Sequence, residues 1–308
     1  MKKEFYLKQH LALLSANAIF GLNAPIVKSI LNHPETAFTA YSLSMFRMAG
    51  AAAVFWIASL FFSSEKVSGK DLLKMLLAAV FGIVLNQFLF IIGLAHTSPV
   101  NALVLETLVP IVTMILAALY LKEPITGKKG FGVLLGAAGA VMLILAGRSA
   151  SGAGSVRGDL IVLASGLSYA LYFTMFKGII SRYSVLTLMK WMFLFSTVIC
   201  SPFCIGDLLS VNYPAIDLQI ACQIAFVVLL GTFLAYMFIP VGQKKIRPTV
   251  VSMYMYVQPV VAATVAVLIG MDTFGAEKAV ATALVFSGVW FVTQSKSRRQ
   301  LSATDGQP

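Results

Sequence analysis

The chain carries GLAHTSPVNALVLETLVP at residues 93–110 and GQKKIRPTVVSMYMYVQP at residues 242–259. Both stretches have glycine first, proline at the seventh position and proline last, so they coincide at a shift of 149 residues. The same shift joins further pairs: Gly82 and Gly231, Gly139 and Gly288, Lys28 and Lys177, and Glu123 and Asp272. Five coincidences of glycine or proline at one shift are more than composition gives by chance, and they predict two copies of one unit.

The composition is typical of a membrane protein. Hydrophobic residues make up 59% of the 308 residues and charged residues 11%, and the mean hydropathy is +0.88. Ten apolar runs are long enough to cross a hydrocarbon core of about 30 Å as helices. We number these runs spans 1 to 10, and they lie near residues 11–31, 41–62, 72–94, 99–121, 130–146, 159–180, 185–204, 219–242, 249–270 and 276–293.

These features predict an all-α integral membrane protein with ten transmembrane helices, arranged as two inverted five-helix repeats. Residues 1–150 form the first repeat, residues 151–294 form the second, and residues 295–308 form a polar tail that we expect to be cytoplasmic and disordered. Because five is an odd number, the second repeat enters the membrane from the opposite face, as in many secondary transporters.

The net charge of +11 comes from basic residues that lie on alternate loops, a distribution that indicates membrane orientation. The basic residues that cluster before span 1 and after spans 2, 4, 6, 8 and 10 are Lys2, Lys3, Lys8, Lys66, Lys70, Lys74, Lys122, Lys128, Lys129, Lys177, Arg182, Lys244, Lys245, Arg247, Lys296, Arg298 and Arg299. By the positive-inside rule, both termini are cytoplasmic, and we expect a multi-pass protein of a bacterial-type inner (plasma) membrane. The charge therefore does not indicate binding to nucleic acid.

Several motifs resemble those of the EamA branch of the drug/metabolite transporter superfamily. The first repeat has residues 93–99, Pro110, LKEPIT at residues 121–126, Gly132 and Gly139. The second repeat keeps Pro248, Pro259 and Gly288, but it has MDTFG at residues 271–275 where the family usually shows a glutamate and a threonine. The resemblance covers residues 11–294. It implies ten-helix carriers of small organic molecules, often exporters of amino acids, other metabolites or drugs.

Two ionisable side chains in apolar surroundings give the strongest chemical signal. Arg47 lies in span 2 and Glu106 in span 4, each about seven or eight positions from the predicted outer end of its span. Charges at this depth normally face a cavity or each other, so we expect the two to approach one another or to share a polar cavity. Three roles remain open: a buried ion pair that fixes helix packing, a coupling proton on Glu106, or recognition of the two ends of a zwitterionic amino acid.

Further polar and aromatic residues recur at helical spacing and should face inward, because lipid offers them no hydrogen-bond partners. The candidates for substrate binding or coupling are Asn23, Asn86, Tyr169, Tyr172, Tyr236, Tyr254 and Gln258. They outline a cavity among spans 1, 3, 4, 6, 8 and 9, although each is also suited to hydrogen bonding between helices. Pro110 and Pro259 lie at equivalent positions inside spans 4 and 9, where they predict paired kinks and hence candidate hinges.

We therefore expect a secondary transporter of small organic metabolites such as amino acids or amphipathic amines, acting as an exporter by alternating access. An ion or substrate gradient would drive it, with a proton as the candidate coupling ion, since the chain has no ATP-binding loop. We expect no cofactor and no metal, because the histidines and cysteines lack metal-site spacing. The alternatives are a membrane-embedded enzyme, which would need more catalytic groups, a channel, and a scaffold without transport activity. A homodimer remains open.

Overall fold

The computed structural model describes residues 6–62, 65–96, 105–146, 156–268 and 275–295, and it is helical at each predicted span. In the first repeat, the segments are Leu7–Leu31, Ala40–Ser59, residues 69–96, Val109–Tyr120 and Gly127–Ala146. In the second repeat, they are Val156–Met175, Val185–Leu209, residues 218–245, residues 248–268 and Ala276–Gln294, with a short helix at Lys177–Arg182. We keep the span numbers for these segments.

Seven segments, those of spans 1, 2, 3, 6, 7, 8 and 10, are long and apolar enough to cross a membrane. The protein is therefore a multi-pass membrane protein, while the count of ten spans stays a prediction. Pro99, residues 271–274 of the second-repeat turn and residues 296–308 of the predicted tail lie outside the described residues. Ser295, the first residue of that predicted tail, is buried and accepts hydrogen bonds from Arg247.

Spans 3 and 8 start with equivalent caps. The Ser68 hydroxyl accepts a hydrogen bond from the Asp71 backbone N–H at 3.2 Å, and the Asp217 carboxylate accepts one from the Ile220 backbone N–H at 2.7 Å. Such caps satisfy backbone donors that the first helical turn leaves unpaired. Because Ser68 and Asp217 are 149 residues apart, the two repeats begin these spans in the same way.

Both of these spans contain a π-helical segment, at Val80–Phe88 in span 3 and at Phe226–Leu234 in span 8. The sequence pattern did not predict these segments. Each holds one of the repeated glycines, Gly82 or Gly231. Since π-helical turns are rare and are frequent at functional sites, their presence in equivalent spans directs attention to the residues they carry.

Neither predicted hinge proline lies in the middle of an unbroken α-helix. Pro110 lies in the first turn of the helix that begins at Val109, directly after a turn at residues 107–108. Pro259 follows a 3-10 segment at Tyr254–Tyr256 and lies in the first turn of Val257–Leu268. A proline is tolerated there because its missing N–H would have no intrahelical partner. Each span is therefore interrupted just before its proline.

Contacts between the repeats occur in reciprocal pairs. Gly82 contacts the Tyr172 ring, and the equivalent Gly231 contacts Asn23, which is equivalent to Tyr172. In the same way, the contact of Gly93 with Val162 corresponds to that of Gly242 with Leu13, and the contact of Gly132 with Gly288 corresponds to that of Gly139 with Ala281. Contacts that map onto one another in this way indicate an approximate twofold relation between the two repeats.

Spans 5 and 10 pack against each other along their length, and spans 2 and 7 form a second such pair. Glycine allows the close approach of spans 5 and 10, since a Cβ atom on Gly139 would lie 2.7 Å from the Ala281 carbonyl oxygen. A Cβ on Gly288 would lie 2.6 Å from the Gly132 carbonyl oxygen. Small residues serve this purpose in many membrane helices.

Gly139→Leu is expected to separate spans 5 and 10 and to destabilise the protein by about 1–3 kcal/mol, because the added side chain meets backbone that cannot move away. The apparent Tm of the purified protein in detergent should fall by several degrees. Gly130→Leu is the matched control, since Gly130 lies in the same helix and a Cβ there meets no atom within 4 Å. Equal Tm values for the two variants would contradict the close packing.

Candidate functional site

Tyr236 lies at the centre of the candidate site. It follows the π-helical segment of span 8 and is 7% exposed. Gln87 Nε2 donates a hydrogen bond to the Tyr236 hydroxyl at 2.5 Å. The rings of Phe20 and Phe193 meet the Tyr236 ring edge-on, at centroid distances of 5.7 and 5.2 Å. Spans 1, 3, 7 and 8 thus hold this hydroxyl in a fixed position.

Arg47 is buried and only partly satisfied. Its Nε donates to the Thr232 hydroxyl at 3.1 Å, and that hydroxyl donates to the Val227 carbonyl oxygen at 2.8 Å within the π-helical segment. Among the described residues, Arg47 has no other hydrogen bond or ion pair, so its two terminal nitrogens are available to a ligand. A guanidinium with two free N–H groups matches the two oxygens of a carboxylate.

Glu106 lies just before the interruption in span 4. Its Oε1 is inaccessible and has no hydrogen-bond partner among the residues that the structure describes, and a Cβ built on Gly166 of span 6 would lie 3.8 Å from it. Glu106 as a whole is half-buried. An inaccessible carboxylate oxygen without a partner is costly unless the group carries a proton or meets a cation, so Glu106 is a candidate for carrying a proton or for binding a cationic group.

The structure does not join Arg47 and Glu106 in an ion pair, since within the described ranges no nitrogen of Arg47 lies within 4.0 Å of a Glu106 oxygen. The alternative of a packing-only ion pair is therefore not realised in this structure. Instead, Arg47 contacts Thr232 of span 8, four residues before Tyr236, and Glu106 lies near Gly166 of span 6. The guanidinium and the carboxylate therefore do not neutralise each other.

Asn86 of span 3 contacts span 6, which also carries the predicted residues Tyr169 and Tyr172. The Ser165 hydroxyl donates to the Asn86 carbonyl oxygen at 2.8 Å, and the Asn86 side-chain amide lies 3.5 Å from the Ser165 hydroxyl. The rings of Tyr169 and Tyr172 stack with centroids 5.9 Å apart, and the Tyr172 hydroxyl donates to the Gln243 side-chain oxygen at 3.3 Å. Tyr169 lies three residues after Gly166, the neighbour of Glu106, so the stacked rings give span 6 an aromatic surface.

The other predicted residues are more widely distributed. Asn23 is buried against Gly231, and its side-chain oxygen has no partner in the described structure. Gln258 donates from its amide to the Asn17 side-chain oxygen at 2.9 Å, so it joins span 9 to span 1. Tyr254 forms a hydrogen bond with His10 Nδ1 at 2.6 Å, near the start of span 1. Gln258 and Tyr254 therefore form contacts between helices and do not contact the group of Tyr236, Gln87, Phe20 and Phe193 through these hydrogen bonds.

Gln87 is the site residue that the sequence reasoning missed. A signal for it existed, because Gln87 and Tyr236 are 149 residues apart and are therefore equivalent positions of the two repeats. A second contact of this kind joins the Tyr256 hydroxyl to the Thr107 carbonyl oxygen at 2.9 Å, next to Glu106. A contact between equivalent residues lies on the axis that relates two repeats, so both contacts mark the centre of the molecule.

Polar contacts also close one end of the helix bundle, the face where span 1 begins and span 10 ends. The Asp71 carboxylate accepts hydrogen bonds from Arg182 at 2.9 Å and from the Tyr183 hydroxyl at 2.8 Å, and its bond raises the pKa of Tyr183. The fully buried Lys129 pairs with Glu123 at 2.7 Å, and the Thr249 hydroxyl donates to the same carboxylate at 3.3 Å. The contacts of Asp71 with Arg182 and of Glu123 with Thr249 therefore join the two repeats at this end.

No group of three or more histidine, cysteine, aspartate or glutamate side chains suited to a metal occurs within the part of the chain that the structure describes. The chemistry available at the centre is therefore that of one guanidinium, one carboxylate, amides and aromatic hydroxyls. Such groups bind and orient polar ligands. A helical membrane protein with two related repeats and buried charges between them has the features of a membrane transport protein.

The chain belongs to the EamA-like transporter family, whose family model matches residues 7–145 and again residues 156–294. It is 25% identical over 309 residues to "Uncharacterized transporter YyaM" of Bacillus subtilis, covering 96% of this chain and 98% of that protein. It is also 25% identical over 268 residues to an uncharacterized transporter of Archaeoglobus fulgidus, covering 84% of this chain and 94% of the relative.

A solved crystal structure, described only as that of a protein, matches with a TM-score of 0.76. The match covers 97% of this chain and 99% of the other, at 18% sequence identity. At that identity the likeness shows a shared fold. The family and its relatives agree that this chain is a member of a transporter family.

Proposed function

We propose that this protein is a secondary transporter that exports small organic metabolites, such as amino acids or amphipathic amines, across a bacterial inner membrane. In this proposal, ten spans form two inverted five-helix repeats, both termini are cytoplasmic, and an ion or substrate gradient drives transport. The observation that carries the proposal is that Arg47 and Glu106 both lie within the helix bundle while neither is paired with the other.

A ligand with both charges suits this arrangement. The terminal nitrogens of Arg47 are matched by a carboxylate, and the unpartnered oxygen of Glu106 is matched by an ammonium group. The stacked rings of Tyr169 and Tyr172 offer apolar surface to the rest of the molecule. When no ligand is present, a proton on Glu106 would relieve its unpaired charge, so exchange of a proton for an ammonium is a route to coupling.

Alternating access supplies the mechanism. The interruptions of spans 4 and 9 before Pro110 and Pro259 are candidate hinges, because a break in helical hydrogen bonding allows the two halves of a span to change their angle. The contacts of Asp71 with Arg182 and of Glu123 with Thr249 would break when the predicted cytoplasmic end opens. Rocking of one repeat against the other would then expose the central site to each side in turn.

The test is uptake of a mixed panel of amino acids and amines into inside-out vesicles under a proton gradient, read by mass spectrometry. Vesicles from cells without the protein are the control. Accumulation of at least one chemically unchanged compound by the protein alone is the expected result. A panel compound that appears chemically altered, or a panel that is accumulated equally by the control, would contradict the proposal.

A further inference from the structure

The side-chain amide of Gln87 has one paired atom and one unpaired atom. Gln87 is 6% exposed, and its Nε2 donates a hydrogen bond to the Tyr236 hydroxyl. Its Oε1 is inaccessible and has no hydrogen-bond partner among the described residues. Leaving a buried amide oxygen unpaired is costly, so an atom of this kind at the centre of a binding site is a candidate acceptor for a ligand.

We infer that Gln87 is a further ligand-binding residue, whose free amide oxygen accepts a hydrogen bond from a primary ammonium group while its amide nitrogen holds Tyr236. This inference rests on the proposed function and deepens it by naming the donor group of the ligand. Glu106 and Gln87 then form the ammonium end of the site, and Arg47 forms the carboxylate end.

The chemistry of the unpaired atoms supports a primary ammonium. The free atoms of Glu106 and Gln87 are both oxygen acceptors. A primary ammonium has three N–H donors, so a hydrogen bond to the Gln87 oxygen leaves two donors for other acceptors. A trimethylated nitrogen carries the same charge and no N–H, so it leaves the Gln87 oxygen unpaired. The site should therefore prefer a primary amine to its trimethylated analogue.

The twofold relation explains why Gln87 holds the ligand throughout transport. If the inward-open and outward-open states exchange the conformations of the two repeats, each contact is replaced by its symmetric counterpart. The contact between Gln87 and Tyr236 is its own counterpart, because the two positions are equivalent. It therefore persists in both states, whereas a contact between non-equivalent residues, such as that of Asp71 with Arg182, does not.

The contact of Tyr256 with Thr107 obeys the same rule. It fixes the backbone directly after Glu106, so the carboxylate and the Gln87 amide are each anchored to the axis. The Tyr236 hydroxyl receives the Gln87 hydrogen bond and so holds the Gln87 amide at this axis. The ammonium end of the site is thus the part of the protein that moves least.

The test measures ligand-induced stabilisation of the purified full-length protein by a panel of the common L-amino acids and their decarboxylated amines. The panel compound that raises Tm most is then titrated, beside its N,N,N-trimethyl analogue, against the wild type, Gln87→Leu and Gln87→Glu. We expect Gln87→Leu to weaken binding of the primary amine about tenfold or more, the loss of a hydrogen bond to a charged group. Gln87→Glu, which keeps an acceptor, should bind the primary amine at least as well as the wild type.

Gln223→Leu is the matched control. The Gln223 amide also donates to a hydroxyl, that of Ser29 at 3.2 Å, and its oxygen is also unpartnered, but it lies 13 residues before Tyr236, roughly 20 Å along the helix. The affinity of Gln223→Leu for the primary amine should equal that of the wild type. The trimethylated analogue should bind the wild type and all variants with similarly low affinity. These comparisons separate ligand contact from general destabilisation.

Three outcomes of these binding measurements test the inference about Gln87. A selective loss of primary-amine affinity in Gln87→Leu, with rescue by Gln87→Glu, supports the inference. Equal affinity of the wild type and a folded Gln87→Leu overturns the inference and leaves the proposed function standing. Failure of every panel compound to stabilise the wild type contradicts the proposed substrate class itself, and the inference falls with it.

Discussion

Glu106→Gln is expected to abolish uphill accumulation of substrate in inside-out vesicles. The substitution keeps the size and hydrogen-bonding ability of the side chain and removes its capacity to carry a charge or exchange a proton. Within the described part of the chain, Glu106 Oε1 has no hydrogen-bond partner and Glu106 forms no ion pair, so loss of the charge should leave the fold intact. A reduced Tm is therefore not expected.

The pattern of the loss separates the two roles proposed for Glu106. If the carboxylate binds the ligand ammonium, Glu106→Gln should weaken ligand binding about tenfold or more, as expected for losing a charge-assisted hydrogen bond. If it carries the coupling proton, binding and exchange of substrate across the membrane should survive while dependence on the proton gradient disappears. Glu277→Gln is the control, because Glu277 is an exposed carboxylate in the first turn of span 10. Full gradient-driven accumulation by Glu106→Gln would contradict both roles.

Arg47→Lys is expected to discriminate between ligands according to whether they carry a carboxylate. Lysine keeps the positive charge but loses the planar pair of N–H groups and the Nε hydrogen bond to Thr232. Affinity for an amino acid should therefore fall about tenfold or more, which corresponds to about 1.4 kcal/mol. Affinity for the corresponding decarboxylated amine should change little, because that ligand does not use the guanidinium.

Thr232→Val is the matched control for this prediction. It removes the hydroxyl that accepts from Arg47 and leaves the guanidinium in place, so it tests orientation alone. We expect a smaller loss, of about threefold, for the amino acid. Titration of both ligands against both variants measures the effect. An equal loss of affinity for the amino acid and the amine in Arg47→Lys would show that Arg47 supports the fold and does not recognise a carboxylate.

The repeat and the membrane class could be read from the sequence because they depend on composition and on residues with special backbone properties. Gly139 and Gly288 recur because spans 5 and 10 approach too closely for a side chain, and a glycine is visible in any sequence. Charges in apolar runs are equally visible, so Arg47 and Glu106 could be singled out as buried ionisable groups. These properties are local, so they can be recognised in the sequence without knowledge of the packing.

The geometry of the site could not be read in the same way. Matching depths of Arg47 and Glu106 suggested a possible pair, but depth does not determine the direction in which a side chain points around its helix. In spans 3 and 8, the π-helical segments at Val80–Phe88 and Phe226–Leu234 also alter that direction, since a wide turn rotates the residues that follow it. Gln87 lies within the first segment and Tyr236 follows the second, so an ordinary helical pattern does not predict their contact.

The helix interruptions before Pro110 and Pro259 show a related limit. Proline in an apolar run predicts a disturbed helix, but a kink and a fresh start differ in the residues that precede the proline. In span 9, those residues are the 3-10 turn Tyr254–Tyr256, whose last hydroxyl reaches across to span 4. A tertiary contact therefore accompanies the break, and a contact between distant segments is not encoded in local pattern.

The most direct test of the account is the side of the membrane on which equivalent positions of the two repeats lie. Lys70→Cys and Gln219→Cys are 149 residues apart, and both are exposed in the first turn of their spans. Each is made in a background without Cys200, Cys204 and Cys222, and sealed right-side-out vesicles are treated with a membrane-impermeant maleimide. The account predicts labelling of Gln219→Cys in sealed vesicles and of Lys70→Cys only after permeabilisation. Labelling of both from the same side would contradict the inverted arrangement and the alternating-access mechanism built on it.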